Sequence, residues 1–149
     1  MADMRDLLIV VFDGRMARFF KGDASARLKP VSEMHSELHR FAHETGSDKG
    51  GRRFSFSGRH AIEPKHDLHK EEKHDFVLKL AKTLDTAYDQ GAFKRLIVVA
   101  PERSLGEFRS LASSRLMKLV VRQVPHELTQ YSDHEIMERL RASITEAAG

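Results

Sequence analysis

The chain has 149 residues, of which 40% are hydrophobic and 32% charged, and it contains no cysteine. That length supports one domain with a core of its own, and the composition excludes a wholly disordered chain. Without cysteine, disulfides and thiolate chemistry are excluded as well. The formal net charge is +3. No apolar run approaches the roughly 20 residues of a membrane-spanning helix. The first apolar run, Leu7–Phe12, ends at Asp13 and is shorter than the roughly 7–15 apolar residues of a secretory signal core. The expectation is a cytoplasmic protein with no membrane partner.

Leu7–Phe12 is a continuous β-forming run, which predicts a strand covered on both faces. Asp13-Gly14 follows, a strong two-residue hairpin signal, and Met16–Lys21 reads as the returning strand. Gly22-Asp23 predicts another turn. A third, more polar strand is placed over residues 31–38. Residues 40–66 then show neither helical nor strand period, and a loop of that length in a compact domain is usually functional or mobile.

From about His66 to Gln90 the period changes. Phe76, Val77, Leu80, Ala81, Leu84, Ala87 and Tyr88 recur at three- and four-residue spacings and give one apolar helix face, with Gly91 placed as its stop. Leu96–Ala100 predicts a second buried strand, ended by Pro101. Ser104 with Glu107 fits a capping box opening a short helix through about Ser113. Leu116–Val124 reads as the fifth strand, with Lys118 and Arg122 on a wet face. Ser132 with Glu135 fits another capping box, opening a helix with Ile136, Met137, Leu140 and Ile144 inward.

The predicted order is β-β-β-α-β-α-β-α over one domain, residues 1–149: an α/β fold with a mixed five-stranded sheet. The two most apolar strands belong side by side at its centre. Right-handed crossovers then fix the order 3-2-1-4-5, which is ribonuclease-H-like.

The positive surplus is local. Residues 40–66 hold six Lys/Arg (Arg40, Lys49, Arg52, Arg53, Arg59, Lys65) against three acids (Glu44, Asp48, Glu63), and the remainder carries nineteen of each sign. Within this segment, Gly50 and Gly51 let backbone amides approach an anion, and Lys49, Arg52, Arg53 and Arg59 supply phosphate affinity without sequence preference. Phe54 and Phe56 supply faces on which unpaired bases stack. RNA, tRNA or the ribosome is the partner class this predicts. The bland alternative is a solvated loop with its phenylalanines docked on the body.

Other constellations point elsewhere, and less sharply. His60, His66, His69 and His74 cluster in sequence. His66 and His69, three apart, can share a helix face with Asp67 or Glu63 nearby, which makes them weak metal candidates. Solvated histidines near a helix start are the commoner case, and no cofactor is expected. Asp13 at a strand end is a weak catalytic candidate for Mg²⁺-dependent phosphodiester cleavage with Glu102 and Asp75 or Glu72, although Asp-Gly hairpin chemistry explains it without a metal. Arg109 reads chiefly as a surface ion-pairing residue. Gly106, near a helix start, is expected to permit close packing of that helix on the sheet.

Three segments carry a family resemblance. Val11–Phe20, then Leu96–Pro101 with Leu105-Gly106-Glu107-Phe108-Arg109, then Pro125-His126-Glu127-Leu128-Thr129 resemble the bacterial host attachment protein family, whose members are described as required for attachment to host cells. At Glu127 the family more often has Asp. The family is related to the middle domain of archaeo-eukaryotic class-I peptide-chain release factors. The resemblance implies their fold, and it sets Gly50-Gly51-Arg52 where those factors carry a Gly-Gly-Gln tip. Glu72–Lys79 is similar to the helix that follows the tip. Arg52 stands where the catalytic glutamine would be. A guanidinium accepts no hydrogen bond and so cannot position a water through an acceptor oxygen, but it forks onto phosphate oxygens. The expectation is therefore a non-catalytic binding module. An ester or peptidyl-tRNA hydrolase, a nuclease, or an interaction protein acting indirectly in attachment stand as alternatives.

Overall fold

The computed structural model describes residues 5–23, 25, 27–36 and 65–148, with side chains over the same residues except 65–70 and 142–148. Five strands and four helices are present among them: β1 (Leu7–Phe12), β2 (Met16–Gly22), β3 (Leu28–His35), α1 (Lys65–Asp89), β4 (Arg95–Ala100), α2 (Glu102–Leu111), α3 (Ser114–Leu119), β5 (Val120–Pro125) and α4 (Asp133–Ala148). The strands form one sheet in the order β3-β2-β1-β4-β5. β1 pairs antiparallel with β2 and parallel with β4, β2 pairs antiparallel with β3, and β4 pairs parallel with β5. The mixed sheet, its order and the central β1–β4 pair are as the sequence predicts.

Every residue of β1 is buried, because helices cover both faces of the sheet. Leu8, Val10 and Phe12 face one layer, where Phe76, Val77, Leu80 and Leu84 of α1, Leu105 and Phe108 of α2 and Leu116 of α3 pack. Leu7, Ile9 and Val11 face the other, packed by Leu128 and by Ile136 and Leu140 of α4. Burying such side chains contributes about 1.5–3 kcal/mol each.

Local chemistry sets the element ends. α1 stops in a Schellman turn: Gly91 takes φ +78°, its N–H donates to Tyr88 O, and Ala92 N–H donates to Ala87 O. At α4, Ser132 Oγ accepts from Glu135 N–H while Glu135 Oε1 accepts from Ser132 N–H, the reciprocal cap that the sequence predicts.

Four expectations are corrected. The third strand is Leu28–His35 and not 31–38. The Ser104–Glu107 cap does not form, since α2 begins at Glu102 behind Pro101 and makes no side-chain cap bond; proline's fixed φ starts the helix without one. The stretch read as a strand over Leu116–Val124 is divided. Ser113 caps α3 by accepting from Leu116 N–H, and only Val120–Pro125 is strand. Gly106 gives no close approach to the sheet, because a methyl group placed there would meet nothing nearer than the Arg109 guanidinium at 3.8 Å.

Candidate functional site

The parallel strands end together, and the loops at their carboxyl ends carry the polar network of the body. Open α/β sheets bind ligands in this position. Asp13 follows β1. Its Oδ1 accepts from Arg15 N–H (2.8 Å) and Met16 N–H (2.9 Å), and Asp13 N–H donates to Met16 O. The carboxylate thus takes the place of a backbone carbonyl in closing the hairpin. Its Oδ2 accepts from Thr129 Oγ1 at 2.9 Å, which ties the hairpin to the loop between β5 and α4.

Arg18 reinforces that tie from the face of the sheet that α4 covers. Its side chain is only 12% exposed. Nη1 donates to the carbonyls of Thr129 and Tyr131, and Nη2 to Asp133 at the start of α4. Glu33 Oε2 stands 3.8 Å from Nε. Arg18 lines an open cleft of about 270 Å³ together with Phe20, Pro30, Val31, Glu33 and Asp133. Arg18 carries no signal in the sequence beyond its place in a polar-apolar alternation, and its hydrogen-bond partners lie more than 110 residues away.

Gly14 has a role other than turn geometry. It does not adopt positive φ, and a Cβ there would lie 2.4 Å from Lys73 Cγ. The glycine leaves room for the aliphatic stem of Lys73 to cross the hairpin, which fixes α1 against β1 and β2. Close by, Ser36 is buried; its N–H donates to Arg15 O (2.7 Å) and its hydroxyl donates to Glu72. Ser36 and α1 therefore hold the two ends of the chain flanking segment 37–64.

The nucleic-acid candidates Lys49, Gly50, Gly51, Arg52, Arg53, Phe54, Phe56 and Arg59 lie outside the described residues, as does His60. His66 and His69 belong to α1, but their side chains lie outside the described set. His74 is described, and its Nδ1 is 3.5 Å from Glu107 on α2. Asp13 is engaged as above, and Glu72 accepts from Ser36. Among the described residues, no group of three or more His, Asp or Glu is arranged to hold a metal. Arg109 donates to Gln123 Oε1 at 2.7 Å and stands 3.8 Å from Glu102, a surface pairing as expected.

Residues 8–140 match the family described as "Protein required for attachment to host cells". The chain belongs to this family. The match takes in the five strands of the host-attachment chain, all but Leu7 of β1, and the first half of α4. Among solved structures, "Crystal structure of archaeal translation termination factor, aRF1" is similar with TM-score 0.48 and 16% identity, over 94% of this chain and 39% of that one. A structure described as "Archaeal protein" gives TM-score 0.40 and 17% identity, over 94% of this chain and 38% of that one. The host-attachment chain thus spans less than half the length of either. No curated protein matches it. Among the described residues no helix is long and apolar enough to cross a membrane.

Proposed function

We propose that this host-attachment family member is a non-catalytic, RNA-binding module of the cytoplasm, with RNA, tRNA or the ribosome as partner. Lys49, Gly50, Gly51, Arg52, Arg53, Phe54, Phe56 and Arg59 are its contact residues. The observation that carries the reading is the confinement of the charge surplus to residues 40–66. The body supports it from the other side. Arg18, Arg95, Arg109, Arg115 and Arg141 each stand within 4 Å of a carboxylate, so these guanidinium groups are already matched internally. Affinity for a polyanion held by phosphate contacts falls steeply with salt through counterion release.

Chemistry at Arg52 favours holding over cutting. The guanidinium offers donors to phosphate oxygens and no acceptor to orient a nucleophilic water. The test is binding to tRNA and to ribosomes over a salt series, comparing the native chain with a Lys49/Arg52/Arg53/Arg59-to-alanine variant. Loss of affinity and of salt dependence in the variant supports the assignment; equal binding removes it.

A further inference from the structure

Each edge of the sheet is interrupted at one residue. On β3, Phe19 pairs with Ser32 and Phe20 with Pro30, which leaves Val31 without a partner position. On β5, Leu96 pairs with Val120 and Ile97 with Arg122, which leaves Val121 out. Each interruption leaves one extra residue on the edge strand, as a bulge does; on β5 it follows Val120, which is also the C-cap of α3. Val31, 46% exposed, and Val121, 48% exposed, are the exposed large hydrophobics among the described residues.

The bulges have the same effect on packing. Residues an even number apart on a regular strand share a face. Yet Leu28 packs in the layer of α4 while Met34 packs in the layer of α1, and Val120 packs with α1–α3 while Val124 packs with α4. β3 therefore switches faces midway, and β5 directly after its first residue. The outward row of amides and carbonyls that a further strand would have to match changes phase at the same point, and local twist increases. Pro30, beside the first bulge, has no N–H to offer. The two inner neighbours, β1 and β2, pair with each other in unbroken register.

We infer that the two bulges close both edges of this sheet to strand addition, so that neither a second copy nor an extended peptide from a partner joins it there. Partners are then engaged through side chains and loops, a conclusion independent of whether the partner is RNA.

The test uses the full chain. Deleting Val31, or separately Val121, keeps every flanking pair in place and regularises the edge. Sedimentation across a wide concentration range should show the native chain as a monomer. The folded deletion variants should rise toward twice that mass as concentration increases. A folded, bulge-free variant that stays monomeric for both edges would overturn the inference. Amide hydrogen exchange on the native chain decides the matter even where a deletion prevents folding. Protection of the β3 and β5 amides should be independent of protein concentration, and protection that grows with concentration would show strand addition in the native chain and overturn it.

Discussion

Thr129 Oγ1 donates to Asp13 Oδ2 at 2.9 Å, so a loop late in the chain is fastened to the first hairpin. Arg18 doubles this fastening through Thr129 O, Tyr131 O and Asp133. Hydrogen bonds from a charged donor contribute about 1.5–3 kcal/mol each, and leaving buried carbonyls unpaired costs further. Arg18→Ala should therefore lower stability by about 3 kcal/mol. Arg18→Lys should recover only part, because one ammonium cannot span three acceptors held by a planar fork. Urea unfolding of the two variants measures this; equal, small losses would show the network to be incidental.

Gly14→Ala places a methyl within 2.4 Å of Lys73 Cγ. Overpacking of this kind costs about 1–3 kcal/mol. Because the clash involves one side chain, Lys73→Ala should relieve the part due to Cγ and Cδ, leaving the contact with Lys73 Cβ at 2.9 Å. A double-mutant cycle should give a favourable coupling, and additive losses would place the strain in the backbone instead.

The two serines read as helix caps separate cleanly. Ser132→Ala should cost about 1 kcal/mol, since it removes the acceptor for Glu135 N–H. Ser104→Ala should be close to neutral, since Ser104 lies inside α2 and Pro101 opens that helix. Thermal unfolding of both variants checks the contrast.

Asp23 closes the β2–β3 turn, accepting from Arg27 N–H and Ser25 N–H at 2.9 Å each. The bond from Arg27 is the largest influence holding its carboxyl below the usual 3.8. A depressed pKa stabilises the fold above the unfolded value and loses that contribution as pH falls through the folded value. Asp23→Asn keeps an acceptor oxygen and removes the charge. The stability difference between the native chain and this variant should be constant at neutral pH and vanish on acidification below 3.8. A difference unchanged in acid would contradict this.

The central strands are legible because short, β-branched apolar runs such as Leu7–Phe12, bounded by turn residues, favour a strand buried on both faces. The edges are harder to read. The bulges at Val31 and Val121 break period-two alternation, which displaces β3 in the sequence pattern and hides the α3–β5 boundary. α3, six residues long, has too few apolar positions to show a helical period; its cap at Ser113 is the available signal. In the candidate site, Asp13 is visible through its Asp-Gly pair. Its bond to Thr129 and the Arg18 clamp depend on tertiary contacts that no local pattern encodes. Gly14 resembles turn chemistry, but its small size serves Lys73.

Titrating tRNA against the native chain at increasing salt tests the central claim most directly. Each cation that neutralises a phosphate steepens the fall of log affinity with log salt by about 0.7–0.9. Replacing Lys49, Arg52, Arg53 and Arg59 by alanine should therefore flatten that slope by about 3 and weaken binding at every salt concentration. An unchanged slope and affinity would contradict the account and move the search for a partner away from residues 49–59.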